Sequence, residues 1–259
     1  MSYPYFFISK NAVKSDSIFI VDEDYRHLIK VLRAKIGDCI GISDNKDTRY
    51  EAVLKEIDRA SATLKIISSK SIIRRMPQIH LYLCVLKKDA MEIAIQKNTE
   101  IGVDVIIPVI SSRVVVEITE KKKEGRLLRW QQIAYNASKQ SRRSFVCKVL
   151  NPLKIENIEP EDYDVFFLPY EGSVDRRENS SLKKLMDFFK GDKIKKMKKI
   201  AFIIGPEGGF EDNEVSQIMK RDAVVINFGK NILRSETASI YFTSLVDFLL
   251  KISDGKNYQ

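Results

Sequence analysis

The chain has 259 residues, a formal net charge of +9 at pH 7, and 44% hydrophobic and 31% charged residues. This length allows one large domain or two smaller ones, and the composition is typical of a folded globular protein and excludes a disordered chain. The three cysteines are far apart and the two histidines fit no metal-ligand spacing. We therefore expect neither disulfides nor a zinc site.

The apolar stretches are shorter than the roughly 20 residues that cross a bilayer. The first residues, MSYPYFFISKN, lack the basic and then apolar order of a secretory signal. We therefore expect a cytoplasmic protein without membrane association. The positive charge, most of which lies after Ile73, suggests a polyanionic partner, because lysine and arginine release counterions when they neutralise phosphates.

Residues 1–72 predict a small, barrel-like β domain with one helix. After the strand SIFIV, Asp22 is expected to cap a helix that carries Tyr25, Leu28, Ile29 and Leu32 on one face. Three further strands are predicted at CIGISD, YEAVLKEI and ATLKIIS. The stretch SKSIIRRMP is predicted to be a linker to the rest of the chain.

Residues 73–259 predict strands and helices in alternation. The predicted strands are IHLYLCVL, VDVIIPVI, DVFFLPY, KIAFIIG and AVVINFG, and helical patterns lie between them and after the last. Continuous apolar strands interleaved with helices indicate a mostly parallel sheet that is covered on both faces. Such sheets bind ligands beyond the carboxyl ends of their strands. The lysine-rich stretch KIKKMKKI is expected to be a solvated loop.

The glycine-rich segment IIGPEGGFEDNE, Ile203 to Glu214, directly follows one of these strands. It has neither the Gly-Lys-Ser/Thr of a phosphate-binding Walker loop nor the G-x-G-x-x-G of a dinucleotide site. Glu207 inside the loop and the acidic residues after it disfavour a phosphate at the next helix start. A nucleoside without phosphates, or a cation such as a sulfonium, suits the loop better. A turn that uses glycine for backbone geometry alone is the alternative.

A second segment, NFGKNILRSETASI, repeats the arrangement after the next strand. Gly229 lies in a loop, and Ser235 is expected to cap the last helix. Two such loops on successive strands can close around one ligand. Arg234 could form a salt bridge with Glu236 or a capping contact, or it could hold an RNA phosphate or a base oxygen.

Five segments resemble one known family. The loops IGPEGGF and ILRSETAS are similar to the cofactor-binding loops of the RsmE family, the rRNA uridine-N3 methyltransferases of the SPOUT superfamily. Three further segments match the family in the same order along the chain: YRHLIKVLRAKIGD (25–38), KKDAMEIAIQKNTEIGVDVIIPVISSR (87–113) and RWQQIAYNASKQSRR (129–143). The resemblance therefore covers nearly the whole chain.

The resemblance implies a fold. Residues 1–72 would form a PUA-like β-barrel that helps to hold RNA, and residues 73–259 a SPOUT-type α/β domain with a deep trefoil knot in its C-terminal part. It also implies a homodimer with each S-adenosylmethionine pocket near the subunit interface. The last helix, apolar nearly all round from Ile240 to Leu250, agrees with a partner on its outer side. A monomer that buries this helix internally is the alternative.

The resemblance also implies site residues. The cofactor-binding residues would be Leu168, Gly205, Pro206, Glu207, Gly208, Gly209, Phe228, Gly229, Ile232, Leu233, Glu236, Thr237 and Ala238. The RNA-binding residues would be His27, Arg33, Lys139 and Arg142, with a packing or surface role as the alternative for His27. No metal is implied.

The implied reaction transfers a methyl group to N3 of a uridine in small-subunit (16S) rRNA, with the assembled subunit as the expected substrate. N3 carries a weakly acidic proton, so we hypothesise that Arg143 and Arg234 place positive charge near the uracil. Two alternatives stay open. One is a SPOUT methyltransferase that acts on tRNA or on a ribose 2′-hydroxyl, and the other is a non-catalytic RNA-binding assembly protein.

Overall fold

The computed structural model describes residues 3–116, 120–170, 181–191 and 193–253. Its contacts divide the chain into unit 1, which comprises Met1–Arg74 and Ser138–Val146, and unit 2, which comprises Arg75–Ala137 and Cys147–Gln259. The short second segment of unit 1 had no signal in the sequence pattern. The sequence-based domain boundary between residues 72 and 73 stays a prediction.

Unit 1 contains a six-stranded sheet. Its strands are β1 (Tyr5–Phe7), β2 (Val13–Lys14), β3 (Ser17–Val21), β4 (Cys39–Ser43), β5 (Thr48–Ile57) and β6 (Ser61–Ser71). They lie in the order β1-β4-β5-β6-β3-β2, and every pair is antiparallel except β1 with β4. The four strands predicted from sequence are confirmed, whereas the two shortest were missed. Alternating side chains from this sheet, among them Phe6, Ile20 and Leu54, form one apolar core.

The predicted helix of unit 1 is present but differs in detail. Helix α1 (Asp22–Arg26) continues into a π-helical turn at His27–Val31, in which the N–H of Leu32 donates to the carbonyl of His27 (2.9 Å). Asp22 is the first helical residue and no side chain caps this start, so the predicted cap is wrong. Leu32 is also exposed, against prediction, because the wider π turn rotates it away from the face that buries Leu28.

Unit 2 contains a parallel sheet with helices around it. Its strands are β7 (Gln78–Cys84), β8 (Val105–Ile110), β9 (Lys148–Val149), β10 (Leu153–Lys154), β11 (Val165–Pro169), β12 (Lys199–Ile204) and β13 (Val224–Ile226). Its helices are α2 (Lys88–Ile101), α3 (Glu120–Gln140), α4 (Ser181–Phe188), α5 (Lys193–Lys196), α6 (Asp212–Met219) and α7 (Ser235–Ser253); the last residues of α3 belong to unit 1.

The strand order of unit 2 is β10-β8-β7-β12-β11-β13, and β9 also pairs with β8. All of these pairs are parallel, as the apolar strand pattern predicts. Separate apolar cores lie on the two faces of the sheet: Met91, Trp130 and Phe242 belong to one, and Val215 and Ile218 to the other. Both faces are therefore covered, which explains the near absence of polar residues within the central strands.

The helix ends follow local chemistry only in part. Helix α2 ends at Ile101 and is followed by Gly102, whose φ of 144° suits glycine. Helix α7 begins at Ser235 itself, one residue earlier than a capping serine predicts. The lysine-rich stretch expected to be a loop contains the four-residue helix α5, because Ile194 is buried and fixes the backbone there. Among the described residues, no helix is both long and apolar enough to cross a membrane.

A buried polar cluster lies within the sheet of unit 2. Nδ1 of His80 is 3.2 Å from the hydroxyl of Tyr163, which is 2.9 Å from the hydroxyl of Tyr82. Nε2 of His80 is buried without a hydrogen-bond partner among the described residues. Burial lowers the pKa of His80 to about 4, although the charge of Asp104 opposes this shift. His80 is therefore neutral in the folded protein at neutral pH.

Replacing His80 with glutamine should reduce the loss of stability in mild acid. The unfolded imidazole takes up a proton below about pH 6.5, whereas the folded one does so only near pH 4, so His80 lowers the unfolding free energy as pH falls between these values. After allowance for partial solvent screening, His80→Gln should remove about 1 kcal/mol of the decrease in unfolding free energy between about pH 7 and pH 5. Urea unfolding followed by the fluorescence of Trp130, the single tryptophan, measures this. If the unfolding free energy of the wild type and of His80→Gln depended on pH to the same extent, His80 would not be neutral in the folded protein.

Candidate functional site

A cavity of about 1020 Å³ lies at the carboxyl ends of four strands of unit 2. Four chain segments line it, and each follows one strand. They are residues 87–90 with Ile93 after β7, Pro169 and Tyr170 at the end of β11, residues 204–210 at the end of β12 and after it, and Phe228, residues 232–236 and Ala238 after β13. The cavity therefore lies where the parallel topology predicts a ligand site.

The glycine loop after β12 is held in one backbone conformation. A Cβ at position 205 would lie 3.1 Å from the ring of Phe210, so a larger residue there would push this ring away by a few tenths of an ångström. Gly209 has a φ of 71°, and its N–H donates to the carbonyl of Pro206 (2.9 Å). Arg113, from the loop after β8, donates to the carbonyl of Gly208 (3.2 Å). The loop is therefore a shaped wall and not a flexible cover.

Glu207 joins two walls of the cavity. Its Oε1 accepts a hydrogen bond from the backbone N–H of Lys87 (3.1 Å), the residue that precedes α2. The N–H groups at a helix start have no partner within the helix, and a carboxylate satisfies them well. Glu207 therefore fixes the glycine loop against the start of α2.

Glu214 plays a second structural role beside the loop. Its side chain is buried, and its Oε1 accepts from the backbone N–H of Ser112 (2.8 Å) and from the hydroxyl of Ser112 (3.0 Å). Its Oε2 accepts from the N–H of Glu211 (2.9 Å), which completes a reciprocal cap at the start of α6. This carboxylate thus ties the loop after β8 to the helix after the glycine loop.

The loop after β13 forms the opposite wall. Gly229 has a φ of 108°, and its N–H donates to the side-chain oxygen of Asn227 (2.7 Å). The ring of Phe228 packs against the rings of Tyr241 and Phe242, with centroids 5.5 and 5.6 Å apart. These contacts anchor the loop on α7. Ile232, which is 84% exposed, lies at the mouth of the cavity.

The structure brings most of the predicted cofactor residues together. Ten of the thirteen line the cavity: Gly205, Pro206, Glu207, Gly208, Gly209, Phe228, Ile232, Leu233, Glu236 and Ala238. The other three, Leu168, Gly229 and Thr237, are not among the lining residues. Leu168 is fully buried in β11, and the next two residues, Pro169 and Tyr170, reach the cavity instead.

The sequence reasoning missed the wall after β7. Lys87, Lys88, Asp89, Ala90 and Ile93 all line the cavity. They lie beyond the carboxyl end of a strand that the sequence predicted correctly, and β7 lies next to β12 in the sheet. The rule that ligands bind beyond the strand ends would have found them, but only once the strand order was known.

The cavity is lined by equal numbers of basic and acidic residues. The basic residues are Lys87, Lys88 and Arg234, and the acidic ones are Asp89, Glu207 and Glu236. Among the described residues, the side chains of Arg234 and Glu236 make no hydrogen bond or ion pair, so the salt bridge considered from sequence is not formed. Both groups are therefore available to a ligand.

Comparisons with known proteins place this site in a family. A family model described as an RNA methyltransferase domain matches residues 74–247, well over half of the chain, and one described as an RNA methyltransferase PUA domain matches residues 20–67. The chain belongs to the RsmE family of RNA methyltransferases. The α/β methyltransferase fold and the PUA-like domain predicted from sequence are thereby confirmed.

Relatives along the full length agree. The chain is similar to the ribosomal RNA small subunit methyltransferase E of Bacillus subtilis, at 27% identity over 96% of each chain. It is 30% identical to the protein of the same name from Buchnera aphidicola of Acyrthosiphon pisum, over 92% of this chain and 90% of the relative. The crystal structure of a ribosomal RNA small subunit methyltransferase E from Neisseria gonorrhoeae, bound to S-adenosyl methionine, matches with a TM-score of 0.78 at 26% identity, over 96% of this chain and 98% of that one.

The RNA-binding residues predicted for this RsmE-family chain lie in unit 1. Nζ of Lys139 is 2.9 Å from Oδ1 of Asp24, 3.4 Å from Nδ1 of His27 and 4.1 Å from the ring centre of Phe6. The Lys139 side chain is only 7% exposed. Burial and the neighbouring Lys139 charge lower the pKa of His27, against the opposing charge of Asp24. Lys139 and His27 thus pack together inside unit 1, and their RNA-binding role stays a prediction.

Three other predicted arginines also lie in unit 1. Arg142 has a φ of 53°, donates to the carbonyl of Tyr3 (2.8 Å) and lies over the ring of Tyr3 at 4.7 Å. Nε of Arg143 donates to the carbonyl of Phe145 (3.3 Å). Arg33, with a φ of 53°, has an exposed side chain. The cavity is lined by unit 2 residues, so of the two predicted catalytic arginines only Arg234 lines it.

Replacing Glu214 with alanine should lower the unfolding free energy of unit 2 by about 2 kcal/mol, because the backbone N–H groups of Ser112 and Glu211 lose their buried acceptor. Glu214→Gln keeps an acceptor oxygen and should cost less. Asp212→Asn removes an exposed charge from the same helical turn and should change stability by no more than about 0.5 kcal/mol. Urea unfolding followed by Trp130 fluorescence measures all three. If Asp212→Asn lowered the unfolding free energy as much as Glu214→Ala does, the hydrogen bonds to the Glu214 carboxylate would not be the cause of the loss.

Proposed function

We propose that the protein transfers a methyl group from S-adenosylmethionine to N3 of a uridine in the 16S rRNA of the small ribosomal subunit. The observation that carries this proposal is the cavity at the strand ends, which has both family loops as walls. The resemblance of these loops to the cofactor loops of the RsmE family, and the ligand named for the Neisseria gonorrhoeae relative, support it.

The lining of the cavity fits S-adenosylmethionine. The glycine loop offers peptide groups at close range, which suits hydrogen bonds to an adenine edge or a ribose. Apolar side chains such as Ile204, Phe228 and Leu233 suit the faces of the adenine. Glu207 and Glu236 would tolerate the positive sulfonium. When bound, S-adenosylmethionine supplies a methyl carbon that is open to attack by a nucleophile.

The proposed cofactor site comprises the thirteen residues implied by the resemblance. Those that line the cavity would contact the cofactor directly. Leu168 would hold Pro169 and Tyr170 in place, and Gly229 would shape the turn that carries Phe228. Thr237 lies in the first turn of α7 between two lining residues. These three residues would therefore support the site, whereas the others would contact the cofactor.

Arg234 is the cation best placed for the uracil. It lines the cavity and its side chain has no partner among the described residues, so its guanidinium can stabilise charge on a base oxygen as N3 loses its proton. Arg143 is proposed as a second cation for the same purpose. Orientation of N3 against the methyl group would supply much of the remaining rate.

Unit 1 is proposed to hold the rRNA, since the PUA model matches residues 20–67 and the chain carries a net charge of +9. His27, Arg33, Lys139 and Arg142 are the proposed RNA-binding residues. The assembled subunit is the proposed substrate, because a base-paired uridine must otherwise be exposed at a cost in unstacking. With this substrate, the protein would act in the cytoplasm.

We also infer a deep trefoil knot in the C-terminal part of unit 2, as the SPOUT resemblance implies. The strand order supports this inference. In the sheet, β13 lies beside β11 and not beside β12. The connection from β12 through α6 to β13 therefore passes β11, a strand that precedes β12 in sequence.

Mass spectrometry of rRNA nucleosides tests the proposed function. Cells that lack the protein should lose one 3-methyluridine from 16S rRNA, and the purified protein should restore it to small subunits from those cells. Methyl groups found on tRNA or on a ribose 2′-hydroxyl would favour the alternative RNA target. Calorimetry that detects no saturable S-adenosylmethionine binding would favour the non-catalytic assembly protein and overturn the proposal.

A homodimer through α7 is also proposed. Phe242, Val246 and Leu250 of this helix are buried in the core, whereas Tyr241, Phe248 and Ile252 are 39%, 59% and 60% exposed in a single chain. The exposed three follow each other at helical spacing along one stripe. A second copy that covers this stripe would remove it from water, as the family resemblance implies.

Phe248→Lys should convert this dimer to a monomer, because a buried lysine without a partner is costly at an interface. Light scattering coupled to gel filtration measures the mass. Met186→Lys, which replaces an exposed apolar residue of α4, is the matched control and should leave the dimer intact. A wild-type protein that elutes as a monomer, or a dimer that survives Phe248→Lys, would contradict the proposal.

A further inference from the structure

We propose that the carboxylate of Glu236 accepts the proton that N3 of the uridine loses during methyl transfer. This inference rests on the proposed function. It assigns to Glu236 a role beyond the cofactor contact implied by the family resemblance.

The cavity restricts which groups can accept this proton. No histidine is among its described lining residues. Cationic lysine and arginine side chains donate hydrogen bonds and have no acceptor, so Lys87, Lys88 and Arg234 are suited to the uracil oxygens and not to its N3–H. Three carboxylates remain, those of Asp89, Glu207 and Glu236. An ionised carboxylate within reach of an N–H group is an established type of proton acceptor in enzymes.

Two of the three carboxylates are less suitable. Glu207 accepts the backbone N–H of Lys87 and holds the glycine loop, so protonation of this carboxylate would weaken a contact that shapes the cavity. Asp89 lies in the first turn of α2 with an exposed side chain. Water therefore competes with the uracil for the oxygens of this carboxylate.

Glu236 differs from both in its position. It lies in the first turn of α7 and its side chain is half-buried without a hydrogen bond or ion pair among the described residues. The Cα–Cβ bonds of a helix tilt towards its N-terminus, so a side chain in the first turn of α7 is directed to the end that lines the cavity. A uracil that enters the cavity would displace the remaining water from this carboxylate.

Arg234 supplies the complementary charge. It lies two residues before Glu236, lines the same cavity and forms no ion pair with it. A uracil held between them can place an oxygen near the guanidinium and its N3–H near the carboxylate. This pair of contacts suits uracil, which presents an N–H donor between two carbonyl acceptors. Cytosine has no proton at N3, so the same pair disfavours it.

The proton and electron balance of the step is complete. The N3–H bond breaks and its proton moves to the Glu236 carboxylate. The electron pair left on N3 forms the bond to the methyl carbon, as the bond between that carbon and sulfur breaks and leaves its electron pair on sulfur. The sulfonium becomes a neutral thioether, and the protonated Glu236 then releases its proton to water.

Glu236→Gln tests the proposal, because glutamine keeps the size of the side chain and cannot accept the proton. At pH 7 the single-turnover methylation rate of small subunits should fall by about 100-fold to 10,000-fold, the usual contribution of a general base. The affinity for S-adenosylhomocysteine, measured by calorimetry, should stay within about threefold of wild type. Circular dichroism should show an unchanged fold.

The pH profile separates proton transfer from a structural role. The rate of Glu236→Gln should rise about tenfold per pH unit from about pH 7 to pH 9, because the fraction of uridine that has already lost its N3 proton rises at that rate. The wild-type rate should stay nearly constant over this range. If the rate of Glu236→Gln were below that of the wild type by the same factor at every pH, the proposal would be overturned. A fall in cofactor affinity large enough to account for the lower rate would also overturn it.

Two further variants complete the experiment. Asp212→Asn removes an acidic charge from the first turn of α6, outside the cavity lining, and should leave the rate unchanged. If Asp89→Asn shows the loss and pH rescue expected for Glu236→Gln, Asp89 is the acceptor and the proposal for Glu236 is wrong. A wild-type protein that forms no 3-methyluridine would refute the proposed function itself, which is a different outcome from an active Glu236→Gln variant.

Discussion

Parallel pairing of the strands in unit 2 is the constraint on which the site depends. In a parallel sheet every strand ends at the same edge, so loops that are distant in sequence meet there. The order β7-β12-β11-β13 brings the residues after β7 next to the glycine loop, although more than one hundred residues separate them. The cavity follows from this strand order, because none of its four walls could enclose a ligand alone.

Carboxylates then fix the walls that the sheet brings together. Glu207 ties the glycine loop to the start of α2, and Glu214 ties the loop after β8 to the start of α6. Each satisfies backbone N–H groups that would otherwise lack a partner at a helix start or in a loop. The acidic character that argued against a phosphate ligand therefore has a structural cause in these two residues. Glu236, whose half-buried side chain has no such partner among the described residues, is the carboxylate to which we assign the chemistry.

Unit 1 shows why a count of basic residues does not identify an RNA-binding surface. Lys139 is ion-paired with Asp24 and packed on the ring of Phe6, and Arg142 lies over the ring of Tyr3. Such cations contribute to packing as well as to net charge. Only cations whose side chains stay exposed are free to contact RNA. Among the predicted RNA-binding residues, Arg33 has an exposed side chain.

The sequence by itself determined the order and type of nearly all the longer elements and the two loops of the site, because apolar periodicity, glycine and proline act locally. It could not determine the strand order, so the wall at Lys87–Ala90 was missed. It also could not show that Ser138–Val146 belongs to unit 1, that a π turn exposes Leu32, or that Lys139 is buried. The π turn forms through a local hydrogen bond from Leu32 to His27, whereas the other outcomes depend on contacts between residues far apart in the chain, which exist only in the tertiary structure.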